Sequence, residues 1–161
     1  MIVKKILLVG SFGVGKTSLV RRFVNNEFSE DYISTIGVRV SIKMVQENKQ
    51  VLKLLIWDIA GTEKNERIPK AYFLGSSAAM FVFDLSREET YLNITEYIDE
   101  IKELSGLDKF IIVGNKVDLL SATELAEVKN LIPEKIDFIT SAKEDENVED
   151  AFKLLAEISL K

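Results

Sequence analysis

Six short apolar runs, at residues 4–9, 36–44, 51–57, 78–83, 110–113 and 136–139, are separated by amphipathic stretches along a chain of 161 residues. Such alternation predicts an α/β fold on a mostly parallel sheet, because parallel neighbours need the crossover that a helix supplies. The second run has period two: Ile36, Val38, Val40, Ile42 and Met44 alternate with polar Arg39, Ser41 and Lys43, so the apolar face is expected to be buried and the other wet. Polar residues 46–50 turn the chain into the third run, which predicts an antiparallel hairpin at a sheet edge. The runs at 78–83, 110–113 and 136–139 are dense enough to be covered on both faces and are expected to be central strands. Helices are expected to start at Ser86 with Glu89 and at Ser121 with Glu124, each a capping box, and at Asn147. Their inward stripes (Ile94, Tyr97, Ile98 and Ile101; Leu125, Val128 and Ile132; Val148, Ala151, Phe152, Leu155 and Ile158) read as core. With no linker or repeat, residues 1–161 are expected to form a single domain.

The chain contains no His and no Cys, which excludes Ser-His-Asp triads, cysteine nucleophiles and His- or Cys-ligated zinc. Its chemistry must therefore use oxygen ligands, lysine and backbone amides. The formal net charge of −5, without a block of like charge, argues against nucleic acid as a partner. No apolar run approaches the ~20 residues that span a bilayer, no signal peptide precedes the first strand, and no cysteine is present to carry a prenyl or palmitoyl anchor. The expectation is a soluble, cytoplasmic monomer without a lipid anchor.

The string Gly10-Ser11-Phe12-Gly13-Val14-Gly15-Lys16-Thr17 satisfies G-x-x-x-x-G-K-[ST] and lies between a predicted strand and a predicted helix. In that context the backbone N–H groups around Gly13, Val14 and Gly15 form an anion nest at a helix N-terminus. Lys16 reaches the β- and γ-phosphates, and the Thr17 hydroxyl takes a place on Mg²⁺. This loop alone leaves adenine and guanine, and kinase, ATPase and GTPase, all open.

Asn115-Lys116-Val117-Asp118 follows the fifth run, at the carboxyl end of a strand, where open α/β sheets bind ligands. A carboxylate at Asp118 can accept from N1–H and the exocyclic amine of guanine, a donor pair that adenine lacks, while the Lys116 stem packs on the ring. Ser141-Ala142-Lys143 follows the last run and can cover the base with backbone N–H groups. Asp58, ending the third run, suits Mg²⁺ through a water, and Gly61 lets a backbone N–H approach a γ-phosphate. Thr35 completes the metal shell if its loop folds over the nucleotide, held by the γ-phosphate and released without it.

Together the motifs Gly10 to Thr17, Thr35-Ile36-Gly37, Trp57-Asp58-Ile59-Ala60-Gly61, Asn115 to Asp118 and Ser141 to Lys143 resemble, in order and over the whole chain, the Ras superfamily of small GTPases. The Tyr32-Ile33-Ser34-Thr35-Ile36-Gly37-Val38 string and Trp57 look most like its Rab branch. The resemblance implies a P-loop NTPase three-layer sandwich with a six-stranded sheet, one antiparallel edge strand and about five helices. It also implies binding of GTP and GDP with Mg²⁺, two mobile segments at residues 28–38 and 60–75, and exchange factors, activating proteins and effectors as partners. By the same resemblance Phe28 leans on the guanine, Ser18 contacts the α-phosphate, and Lys16, Thr35, Gly61 and the residue at 62 serve catalysis.

Three departures stand out. Thr62 replaces the glutamine that orients the attacking water, so intrinsic hydrolysis is expected to be slow; the Rap branch also carries threonine there. Phe12 replaces a small residue beside which an arginine finger passes, and is expected either to obstruct that finger or to fold onto a mobile segment. The missing C-terminal cysteine puts prenylation in doubt and suggests a prokaryotic relative or a trimmed chain. Arg39 and Pro69 also depart from the pattern, which leaves effector choice open. The main reading is a slowly hydrolysing GTP switch. Alternatives are a non-hydrolysing nucleotide-gated scaffold and, on the same loop, an ATPase or nucleoside kinase.

Overall fold

The computed structural model describes residues 1–29, 37–61 and 68–161. Strands β1 (Ile2–Val9), β2 (Val38–Glu47), β3 (Gln50–Ile59), β4 (Ser76–Asp84), β5 (Phe110–Asn115) and β6 (Phe138–Ile139) form one sheet in the order β2-β3-β1-β4-β5-β6. All pairings are parallel except β2 with β3, the antiparallel hairpin at one edge. Its turn is Asn48 and Lys49, both at positive φ, the geometry that suits the twist of a two-residue hairpin. Among the described residues there are four α-helices, where about five were expected: α1 (Lys16–Asn25), α2 (Ile94–Ser105), α3 (Ala122–Leu131) and α4 (Val148–Ser159).

Helices cover both faces. On one, Phe23 of α1 stacks flat on Phe152 of α4 with ring centroids 4.2 Å apart, over Ile6, Leu8, Leu54 and Ile56. On the other, Ile94, Ile98 and Ile101 of α2 and Val128 of α3 pack over Leu7, Val9, Phe81 and Phe83. Ile6 to Val9 of β1 and Ala78 to Phe83 of β4 are thus buried on both sides, which is why these stretches are unbroken apolar runs. Each fully buried Leu or Phe contributes about 1.5–3 kcal/mol.

Four expectations are corrected. The apolar face of β2 is the exposed one: Val40, Ile42 and Met44 are 49%, 53% and 48% accessible. Among the described residues no helix covers that side of the edge hairpin, whereas the polar face turns toward α1, where Lys43 Nζ lies 5.4 Å from the Phe23 ring and donates to the Val24 carbonyl. Ile36 of the same run lies outside the described residues. β6 is an edge strand, not a central one, with only two pairs to β5 and half-buried side chains. Ser86 does not start an α-helix, because the Asp84 carboxylate accepts both its N–H and its hydroxyl; the chain makes a short 3-10 turn at Glu88–Thr90 and α2 begins at Ile94, eight residues after Ser86. Asn147 stands at the N-cap position of α4, but its amide donates to the Ile139 carbonyl and makes no cap bond. The Ser121 and Glu124 capping box forms as expected, with both reciprocal bonds present.

Because β1, β3, β4, β5 and β6 run the same way, the loops after Val9, Ile59, Asp84, Asn115 and Ile139 leave one edge of the sheet. That edge is where this architecture places ligands.

Candidate functional site

The loop at residues 10–15 joins β1 to α1, whose first helical residue is Lys16. Five of its consecutive carbonyls accept hydrogen bonds from side chains. Lys16 Nζ donates to Gly10 O and Ser11 O at 2.9 and 3.0 Å. Arg87 Nη1 donates to Phe12 O at 3.0 Å, Lys116 Nζ to Gly13 O at 2.8 Å and Asn115 Nδ2 to Val14 O at 3.1 Å. With the carbonyls so engaged, an anion at this loop would be met by backbone N–H groups of the loop and of the first turn of α1. Gly15 has φ 101° and lies so close to the Asn115 side chain that any Cβ would collide with it. The structure thus requires glycine at this position.

Lys16 is almost fully buried, and that burial pushes its pKa down to about 8 despite the nearby Asp58 charge. Asp58 is buried as well; burial raises its pKa, against the opposing effects of the Thr17 hydroxyl and the Lys16 charge. Thr17 Oγ1 donates to Asp58 Oδ2 at 2.5 Å, while Asp58 Oδ1 is buried with no hydrogen-bond partner among the described residues. An orphaned carboxylate oxygen beside a hydroxyl is a hard-oxygen pair suited to Mg²⁺, which takes one or two carboxylates and completes its shell with water and phosphate. The residues present fit that ion. No cluster of three His, Cys, Asp or Glu exists among the described residues.

Asn115 is buried and bridges two loops, with Oδ1 accepting from the Thr140 hydroxyl at 3.0 Å and from Ala142 N–H at 3.3 Å. Lys116, at φ 68°, pairs with the buried Asp84 at 2.9 Å. Asp118 accepts from the Ser141 hydroxyl at 2.7 Å. On the opposite side Gly61 lies directly against the backbone of Ser11 and Phe12, and Ala60 N–H donates to Gly37 O at 2.8 Å. Between these walls lies a cleft of about 440 Å³, a usual size for a small-molecule site. The cleft brings Gly13, Gly15, Lys16, Thr17, Ser18 and Phe28 to the same space as Asp58, Gly61, Asn115, Lys116, Asp118, Ala142 and Lys143. Val14 and Ser141 are fully buried beside it. Phe12 stands at the same cleft, 44% accessible. Thr35 and Thr62 lie outside the described residues.

Four further residues matter that the motif reading did not single out. Asp84 closes the apolar β4 run, and a carboxylate ending a buried strand at the carboxyl edge is a readable signal. Thr140, just before Ser141, was readable only by position. Arg22 and Arg87 join segments distant in sequence, which no local pattern reveals.

Comparison with known proteins agrees with this geometry. The family profile described as "Ras family" matches residues 5–161. The chain is 39% identical over 153 residues to Ras-related protein RABA1h of Arabidopsis thaliana, covering 92% of this chain and 70% of that protein. It is 36% identical over 160 residues to Ras-related protein SEC4 of Saccharomyces cerevisiae (97% and 74% covered), and 38% identical over 157 residues to human Ras-related protein Rab-8B (94% and 76%).

Proposed function

Because the chain belongs to the Ras family, we propose that residues 1–161 form one G domain acting as a Mg²⁺-dependent switch between GTP-bound and GDP-bound states. The observation that carries this reading is the convergence on one cleft of the phosphate-type loop, the Thr17–Asp58 oxygen pair and Asp118, contributed by three different strand ends. Lys16 exchanges its two carbonyl bonds for phosphate oxygens, which repay the burial of its charge. Gly13, Val14, Gly15 and Ser18 hold the phosphates through the loop and the first turn of α1. Thr17 and Asp58, with Thr35, would hold Mg²⁺, which would supply neutralisation of phosphate charge when bound.

On the base side Asp118 reads the guanine edge, the stem of Lys116 and the ring of Phe28 flank the ring, and Asn115 ties the phosphate loop to the 141–143 loop. Hydrolysis is attack of water on the γ-phosphate, with Lys16 and Gly61 stabilising charge by position rather than by covalent chemistry. Thr62 is too short to orient that water as glutamine does, so turnover is slow without an activating protein. Exchange factors, activating proteins and effectors are the partner classes, and the exposed row Val40, Ile42 and Met44 beside Trp57 is the apolar surface offered to them. The switch acts in the cytoplasm as a monomer.

Single-turnover conversion of GTP to GDP, compared between the native chain and Thr62→Gln, tests the reading. Slow hydrolysis accelerated at least tenfold by glutamine is the expected result. GTP retained unchanged by both proteins would replace the switch with a non-hydrolysing scaffold gated by nucleotide.

A further inference from the structure

We propose that Asp84 is a positioning residue that fixes the Lys116 ammonium on the Gly13 carbonyl, holds the base side and the phosphate side of the cleft at a set spacing, and so controls how long a guanine nucleotide stays bound. The inference rests on the GTP/GDP reading above. Asp84 ends β4 and is fully buried. Its two carboxylate oxygens have different partners. Oδ1 accepts from the N–H and the hydroxyl of Ser86, at 2.9 and 2.6 Å, which closes the turn after the strand. Oδ2 lies 2.9 Å from the Lys116 ammonium and has no hydrogen-bond donor besides it among the described residues. The positive charge of Lys116 is therefore what compensates the burial of this oxygen.

The same ammonium donates to Gly13 O at 2.8 Å. The Lys116 side chain is 33% accessible, and its flexible stem lets the charge move out to water unless a second partner holds it. Asp84 is that partner. Its residue also organises a second cation: Asp84 O accepts from Arg87 N–H and from the Thr90 hydroxyl, both at 3.0 Å, and Arg87 Nη1 donates to Phe12 O at 3.0 Å. One buried residue thus arranges two cations on two consecutive carbonyls of the phosphate loop. The peptides are trans and planar, so the direction of each of these carbonyls fixes the plane that it shares with the next residue. Lys116 is at once the residue whose stem is placed against the base, so a loss of its fixed position reaches both halves of the cleft.

The test uses the full chain with Mg²⁺ and measures GDP release from the native protein, Asp84→Asn, Ser86→Ala, Lys116→Met and the double variant Asp84→Asn with Lys116→Met. Asparagine keeps an acceptor for Ser86 and the shape of the side chain, but it removes the charge that holds the ammonium. We expect Asp84→Asn to speed release by about ten- to a hundredfold, the factor that one charge-assisted hydrogen bond represents. Ser86→Ala loosens the turn but leaves the ion pair, and is expected to change release by less than about threefold. In the Lys116→Met background Asp84→Asn is expected to add less than about threefold, because the two side chains act as one unit. Unchanged release in Asp84→Asn overturns the inference. An acceleration that persists without Lys116, or that Ser86→Ala matches, also overturns it, since Asp84 would then serve only to close the turn. Should Asp84→Asn not fold, the double variant, which leaves neither charge unpaired, is compared with Lys116→Met and decides by the same threefold limit. Failure of the native chain to retain GDP in preference to ADP would instead overturn the underlying reading, and it is visible before any variant is made.

Discussion

Replacing Lys16 with methionine is expected to make the nucleotide-free protein more stable while abolishing its response to nucleotide. Burial holds the Lys16 pKa at about 8, against 10.5 for an unperturbed lysine. Because the folded value lies below the unfolded one, the unfolded chain binds more protons between these limits, and stability rises with pH across that window. Below about pH 8 the burden of the buried charge is at its full value of about 3 kcal/mol. It fades as pH rises toward 10.5. Against this stand two hydrogen bonds, to the Gly10 and Ser11 carbonyls, worth about 0.5–1.5 kcal/mol each. The charge term is the larger, so Lys16→Met should gain about 1 kcal/mol at pH 7, raising Tm by roughly 2–4 °C in a chain of this size. GDP with Mg²⁺ reverses the order, since a ligand at a thousand times its Kd adds about 4 kcal/mol to the native protein alone. Thermal unfolding of both proteins at pH 7 and 9.5, with and without GDP, measures every term. A methionine variant less stable than the native chain at pH 7 without nucleotide, or one stabilised equally by GDP, would refute the reasoning.

Asp118→Asn should weaken GDP binding at least about a hundredfold, because two charge-assisted bonds are lost, and should improve binding of xanthosine diphosphate, whose C2 oxygen accepts from the new amide. Competition titration reads both effects. Phe152→Ala should cost about 3–5 kcal/mol by opening a cavity where the ring stacks on Phe23, and urea unfolding measures it. Because Phe152 lies in the core, away from the cleft, the folded fraction should keep its nucleotide preference.

Much of this architecture can be read locally. The apolar runs locate the six strands because Ile6 to Val9 of β1 and Ala78 to Phe83 of β4 are buried on both faces, and the Ser121 and Glu124 box marks a helix start because both reciprocal bonds are between near neighbours in the chain. The motif residues gather because parallel strands deliver their loops to one edge. Other features depend on the fold's surroundings. Period-two alternation in β2 marks two faces but not which one a helix covers, and here the apolar face is the bare one. Ser86 and Asn147 carry capping chemistry, yet Asp84 and the Ile139 carbonyl, set nearby by the folded strands, compete for their side chains. Arg22 and Arg87 act on loops 120 and 75 residues away, and such distances leave no periodic trace.

The claim that this cleft is built for guanine nucleotides is tested most directly by equilibrium binding of GDP and ADP to the native chain, each with and without Mg²⁺. GDP is expected to bind at least about a thousandfold more tightly than ADP, since Asp118 has no donor pair to accept from on adenine, and to be released faster when Mg²⁺ is removed. Comparable binding of the two nucleotides would contradict it.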